Sequence, residues 1–405
     1  MRLSLGLALT VLGLVGGASA QTLALNYPLE AQISLGQPAL TTPTAWEKGR
    51  APLQARFLEE IYGHLPQAPE VSGHLHSQGP LQGLPGSFQE HVIALHWQNK
   101  PLSRLHLLIL RPERPQPTAL LFLNKCGNAS LLKDPVLPRY LPLWPSLCPG
   151  EMGERGWQQD YWDIASALQA GLTLITLHET ELAPDAPAAF AATLKTWPES
   201  LFRVGPRPGL IAVWAWGLQS VRSYLATLPE FQGSQIGLLG HSRRGKAALL
   251  ATALDSRFAF VVPHQTGTLG AAPLRLHPAE SLASITSFFP HWFTPALAQR
   301  QVAELSVDQH QLLALVAPRP LLISEGARDF WASPTLSLAA LNAALPVYRL
   351  YQPDLPPQLH SWQPGQELAA LQRPPAHVLT DDAHTLNRGY WQAILAFLQG
   401  QGLLH

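Results

Sequence analysis

The chain has 405 residues, 46% of them apolar and 13% charged, with 27 Lys plus Arg against 27 Asp plus Glu. That composition fits a globular protein with a sizeable core, in one large domain or two ordinary ones. The formal charge of zero, with no basic stripe and no polybasic run, points away from nucleic acid and from an anionic membrane surface as partners.

The first twenty residues read as a signal peptide. Arg2 supplies the positive start, Leu3 to Gly17 an apolar run, and Ala18-Ser19-Ala20 a small-residue cleavage site before Gln21. A buried N-terminal helix is the alternative reading. The order of charge, apolar run and cleavage site favours export, so the mature protein is expected to be secreted or periplasmic. No later stretch reaches the ~18 uninterrupted apolar residues of a membrane span. Residues 21–90, rich in Pro, Gly and Gln, form an N-terminal segment expected to pack on the core, with one helix from Trp46 to Tyr62. Residues 91–405 form the main domain.

From residue 91 strands and helices alternate. Segments 91–97 and 103–110 partly alternate apolar with polar residues and predict an antiparallel pair. Segments 119–123, 172–177, 235–239, 258–262 and 320–323 are continuous apolar runs that predict buried strands. Helices are predicted over 159–170, 209–228, 246–254, 336–344 and 390–398, and a further strand over Val347–Tyr351. This order predicts an α/β fold, a mostly parallel sheet covered by helices on both faces.

Two cysteines, Cys126 and Cys148, are separated by twenty-one residues. An oxidising compartment permits a disulfide between them. The spacing alone leaves open a bridge or two buried thiols. No Cys or His spacing resembles a zinc site, so no metal is expected.

Gly240-His-Ser-Arg-Arg-Gly-Lys246 lies between a buried strand and a helix. A serine on such a sharp turn stands clear of the sheet, and the helix start offers backbone N–H groups to an oxyanion. The usual elbow is G-x-S-x-G; here Arg244 holds the second position after Ser242, and glycine comes one later, at Gly245. An ordinary strand-to-helix turn capped by Ser242 is the plain alternative. A serine nucleophile needs a histidine base and an orienting acid, in this fold class in the order Ser, acid, His. Asp329 follows strand 320–323 by a short loop, and His384 precedes the last helix. Glu325 is a rival acid; His360 and His377 are rival bases.

The elbow, as Gly-x-Ser-Arg-x-Gly-Lys, is similar to the nucleophile motif of glucuronoyl esterases. Leu123-Asn-Lys-Cys-Gly-Asn128, Ala212-Val-Trp-Ala-Trp-Gly217, Phe289-Pro-His-Trp-Phe293, Asp308 to Pro320 and Asp329-Phe-Trp-Ala-Ser-Pro334 resemble further segments of that family. The likeness runs from about residue 90 to the end. It implies an α/β-hydrolase fold and a serine esterase that cleaves uronic acid esters of plant cell-wall polysaccharide, with no cofactor. It implies Ser242 as nucleophile, His384 as base and Asp329 as acid. By the same likeness Arg243 stabilises the oxyanion, Lys246 and Glu280 contact sugar hydroxyls, and Trp331 packs on the sugar ring.

The sequence also departs from the family. Gln265 stands where many members carry an acid soon after the nucleophile. His241 replaces a cysteine that forms half of a family disulfide, and Pro273 replaces a usual bulky residue. These changes keep two alternatives in view: an acetyl or other small-acyl esterase on the same triad, and an inactive carbohydrate-binding relative.

Overall fold

A computed structural model describes residues 42–133, 137, 148 and 155–405. The expected signal peptide lies outside these residues. A nine-stranded sheet forms the centre. Its strands in chain order are β1 (Glu70–Pro80), β2 (Ser87–Trp97), β3 (Lys100–Arg111), β4 (Thr118–Asn124), β5 (Thr173–His178), β6 (Gln235–His241), β7 (Val261–His264), β8 (Leu322–Gly326) and β9 (Ala376–Thr380). The spatial order is β1-β2-β3-β5-β4-β6-β7-β8-β9. The pairs β1–β2, β2–β3 and β3–β5 are antiparallel, and all later pairs are parallel.

The helices are α1 (Pro43–Phe57), α2 (Ile164–Gln169), α3 (Pro187–Thr196), α4 (Leu210–Leu225), α5 (Arg243–Leu254), α6 (Leu282–Phe288), α7 (Gln309–Ala314), α8 (Pro334–Arg349) and α9 (Arg388–Gly400). Their starts are written in the sequence. Thr42 caps α1 with Pro43 in the first turn, Asp308 and Gln311 form a capping box on α7, and the Asn387 side chain accepts from the first backbone N–H groups of α9.

The strand period of two divides the core. Along β4, Ala119, Leu121 and Leu123 enter one apolar layer with α1, α4, α5, α7 and α8. Leu120 and Phe122 enter the opposite layer with α2 and α9. Both faces of the central strands are therefore covered, as continuous apolar runs require. Helix α1 is fastened to the main domain by more than its apolar face: Arg50 donates to the carbonyls of Ala317 and Leu315, each at 2.7 Å.

Helices Pro187–Thr196, Leu282–Phe288 and Gln309–Ala314 were not predicted, and three strand assignments also differ from the sequence expectation. Val347–Tyr351 is not a strand, because α8 runs on to Arg349. Ala340, Ala344 and Tyr348 are buried at helical spacing, and so are Leu341 and Leu345, so one stripe extends through the segment. β1 went unpredicted because it is an exposed edge strand with little apolar content. β9 was hidden behind Pro374-Pro375, a signal that reads as loop. The cysteines are joined, Cys126 to Cys148, with Cα atoms 5.7 Å apart.

Candidate active site

The chemistry-bearing side chains follow the carboxyl ends of the parallel strands, where open α/β sheets place their ligand crevices. Ser242 leaves β6 with φ 61° and ψ −130°. A non-glycine residue in this region costs on the order of 1–3 kcal/mol and persists only when its surroundings impose it. They do so here. The Ser242 N–H donates to the His264 carbonyl at 2.8 Å, and its own carbonyl accepts from Gly245 N–H at 2.9 Å. A Cβ on Gly240 would lie 2.4 Å from the Arg244 carbonyl, and one on Gly245 would lie 2.5 Å from the Gly240 carbonyl. The displaced glycine of the motif is thus the partner of Gly240 across a turn too tight for any side chain. The Ser242 hydroxyl makes no hydrogen bond with a described residue.

Asp329 lies just beyond β8 and is 5% exposed. Its Oδ2 stands 2.6 Å from Nδ1 of His384, which sits on the loop between β9 and α9. The neighbours of His384 are held on both sides. Gln265 Nε2 donates to the Ala383 carbonyl at 2.8 Å, and His264 Nε2 lies 2.8 Å from the Thr385 carbonyl. The His384 ring packs 4.3 Å, centroid to centroid, from that of His241, the residue before Ser242. Base and nucleophile loops therefore meet, although no hydrogen bond joins His384 to Ser242.

The rivals are placed elsewhere. Glu325 is fully buried, and neither carboxyl oxygen makes a hydrogen bond of normal geometry. Burial first, and the Asp329 charge second, push its pKa well above the ordinary carboxyl range. His377 is buried on β9 beside the Ser337 hydroxyl at 3.1 Å, and His360 is exposed.

Arg243 donates to Asp185 and stacks over Trp292, 4.3 Å from guanidinium to ring centroid. Asp185 also accepts from Trp292 Nε1 at 2.7 Å and faces His291 Nε2 at 2.9 Å. Burial alone would raise the Asp185 carboxyl. The His291 bond, the Arg243 charge and the Trp292 bond outweigh burial and hold it below the carboxylate range. One side of the Arg243 fork is fixed in this way, and its remaining N–H groups have no partner among the described residues. Arg244 turns away into a bidentate pair with Glu179, which explains why arginine is tolerated at the usual glycine position.

Lys246 is 3% exposed, and its ammonium donates to the Thr266 carbonyl at 2.5 Å and to that of Thr268. Two of its three donors are spent on backbone. Burial lowers its pKa to about 8. The unfolded chain, with a lysine near 10.5, then binds more protons than the folded chain between these values. Stability is expected to rise with pH across that window, by up to about 1.4 kcal/mol per pH unit. Denaturant unfolding at pH 8 and pH 10 checks this, and the slope should shrink in Lys246→Met.

Glu280 is half-buried, and burial raises its carboxyl against the lowering charges of Lys246 and Arg243. Trp331 is 59% exposed on the turn that follows Asp329. The loops carrying Glu280 and Trp331 are tied by Ala279 N–H donating to Ser333 Oγ at 2.9 Å. Among the described residues, no three His, Cys, Asp or Glu side chains are arranged to hold a metal ion. Sequence reasoning missed Asp185, Glu179 and the anchoring role of Gln265. Glu179 was the most accessible, since it lies two residues past a predicted buried strand on the nucleophile's side of the sheet.

A sequence profile of the family described as "Glucuronyl esterase, fungi" matches residues 160–351. "Carbohydrate esterase MZ0003" of an unknown prokaryote is 29% identical over 331 residues, 77% of this chain and 75% of that protein. The chain is similar to glucuronoyl esterases in this profile and in its curated relatives. It is a carboxylic ester hydrolase. The "4-O-methyl-glucuronoyl methylesterase 1" of Phanerochaete chrysosporium is 34% identical over 161 residues, 37% of this chain and 34% of the fungal protein. Among solved structures, a promiscuous CE15 esterase from a marine bacterial metagenome superposes with TM-score 0.79 at 25% identity, covering 90% of this chain and 94% of that one. A glucuronoyl esterase from Teredinibacter turnerae gives 0.72 at 26% identity, covering 92% and 88%. Glucuronoyl esterases share the α/β-hydrolase fold, and the mostly parallel sheet with helices on both faces is that fold here. His241, the residue before Ser242, is held by the Tyr161 hydroxyl and by Gln265 Oε1 at 3.0 Å.

Proposed function

We propose that this glucuronoyl esterase relative cleaves uronic acid esters on plant cell-wall polysaccharide by two-step acyl transfer at Ser242. The observation that carries the reading is the 2.6 Å His384–Asp329 pair beside a strained serine elbow whose next residue is an anchored arginine. His384 takes the Ser242 proton as the hydroxyl attacks the ester carbonyl. Negative charge then develops on the carbonyl oxygen, within the reach expected of the open side of the Arg243 fork and the backbone N–H groups at the start of α5. His384 returns the proton to the leaving alcohol, and water, activated the same way, releases the uronic acid. Asp329 keeps the imidazole oriented and stabilises its charged form.

Lys246, Glu280 and Trp331 frame the sugar in this reading. Lys246 has one donor left for a hydroxyl after its two backbone bonds, Glu280 lies within electrostatic range of it, and Trp331 offers an exposed ring face. The N-terminal pattern of Arg2, apolar run and Ala18-Ser19-Ala20 supports export to where such polymers occur.

Gln265 does not speak for an inactive relative. Its amide bridges His241 and Ala383, a task that needs both an acceptor and a donor. The test against a small-acyl esterase is a comparison of kcat/KM on benzyl glucuronate and p-nitrophenyl acetate. Preference for the uronate ester supports the reading, and preference for acetate overturns it. Arg243→Ala should lower kcat on benzyl glucuronate by about 10²- to 10³-fold, the usual loss for one oxyanion donor. Arg243→Lys should not restore it, because an ammonium cannot both bind Asp185 and present a planar fork.

A further inference from the structure

Lys125 is the first residue after β4. Strands β4 and β6 run parallel with Phe122 opposite Leu239. The two strands end at Asn124 and His241, so Lys125 and Ser242 each leave the same, carboxyl end of the sheet from neighbouring strands. The Lys125 backbone is pinned there. Cys126 is bridged to Cys148, and the Lys125 carbonyl lies 3.3 Å from His178 Nε2. The ammonium hangs over the ring of Tyr161, 5.8 Å from its centroid, and the Tyr161 hydroxyl is bonded to His241, the neighbour of Ser242.

The other cations of this rim are spoken for. Arg244 is paired with Glu179, Arg243 with Asp185, and Lys246 sits on two carbonyls. The Lys125 ammonium makes neither a hydrogen bond nor an ion pair with any described residue. Burial, with the charges of Arg244 and Arg243 against that of Glu179, depresses it to about 8. A half-buried cation with neither a hydrogen bond nor an ion pair costs a fold stability, which points to a role other than stability. Ester hydrolysis supplies a reason. The substrate acyl group enters neutral and leaves as a carboxylate, formed on the rim where Lys125 lies.

We propose that Lys125 is the cation that holds the carboxylate of the released uronic acid. The proposal rests on Ser242 being the residue that is acylated. It makes Lys125 a product-binding group, separate from the oxyanion donor Arg243. The neutral ester gains little from it.

The experiment titrates glucuronate into the full-length wild type, Lys125→Met and Lys125→Arg by calorimetry, alongside fluorophosphonate labelling of Ser242 in each. Lys125→Met should bind glucuronate at least tenfold more weakly than wild type, and Lys125→Arg within about threefold. Thermal unfolding without glucuronate should show Lys125→Met as stable as wild type or more so, which a merely structural lysine would not give. Equal glucuronate affinity in wild type and Lys125→Met overturns the proposal, as does no binding to the wild type. Absence of labelling in the wild type would instead overturn the reading of Ser242 on which the proposal rests, a failure distinct from unchanged affinity in Lys125→Met.

Discussion

Ser242→Ala is expected to lower kcat on benzyl glucuronate by at least about 10⁴-fold, with KM little changed. Removal of the nucleophile leaves only the binding and oxyanion contributions of the site. The same position carries a second expectation of opposite sign. Ser242 is held at φ 61° by bonds from its own N–H and carbonyl, none of which needs its side chain. Ser242→Gly should therefore be as inactive as Ser242→Ala and yet more stable than wild type by about 1 kcal/mol, since glycine adopts that region without a Cβ penalty. Denaturant unfolding checks the gain. A Ser242→Gly variant less stable than wild type would show that the elbow is not strained as described.

The second large effect separates two carboxyls four residues apart. Asp329→Asn is expected to cut kcat by about 10³- to 10⁴-fold. An amide Nδ2 facing His384 Nδ1 at 2.6 Å favours the wrong tautomer and cannot stabilise the imidazolium. Glu325→Gln should change kcat by no more than about threefold. The Glu325 carboxyl is buried, and its pKa is raised by burial and by Asp329, so it is already held toward the neutral form that glutamine imitates. Steady-state kinetics on both variants decides the matter. A large loss in Glu325→Gln with little in Asp329→Asn would reverse the assignment. Gln265 adds a control. It is bonded to Ala383 and not to His384, so Gln265→Ala should act on the placement of the base loop and cost less than Asp329→Asn.

The sheet was legible in the sequence because its central strands are unbroken apolar runs such as Ala119–Leu123, which have few other uses in a chain with so few charges. The order Ser242, Asp329, His384 was legible for a related reason. Ser242 and Asp329 follow predicted buried strands, whose ends share one rim, while His384 was read from the order Ser, acid, His and its place before the last helix. The helical fate of Val347–Tyr351 was not legible. Five residues of mixed polarity fit either period, and the tie was broken by packing of Leu341, Leu345 and Tyr348 against the core. The Asp185–Arg243 anchor was equally hidden. Asp185 lies 58 residues from its partner, in a loop, and nothing local marks it. The Glu179–Arg244 pair spans 65 residues in the same way. Gln265 read as a lost acid because sequence reveals the missing charge and not the bond to Ala383 that takes its place.

The account rests on one reaction at one serine. Its most direct test is the rate at which benzyl alcohol is released from benzyl glucuronate by wild type and by Ser242→Ala at equal concentration. Steady release is predicted for wild type, and release slower by at least about 10⁴-fold for Ser242→Ala. Equal rates from the two proteins, or no release by the wild type, would contradict it.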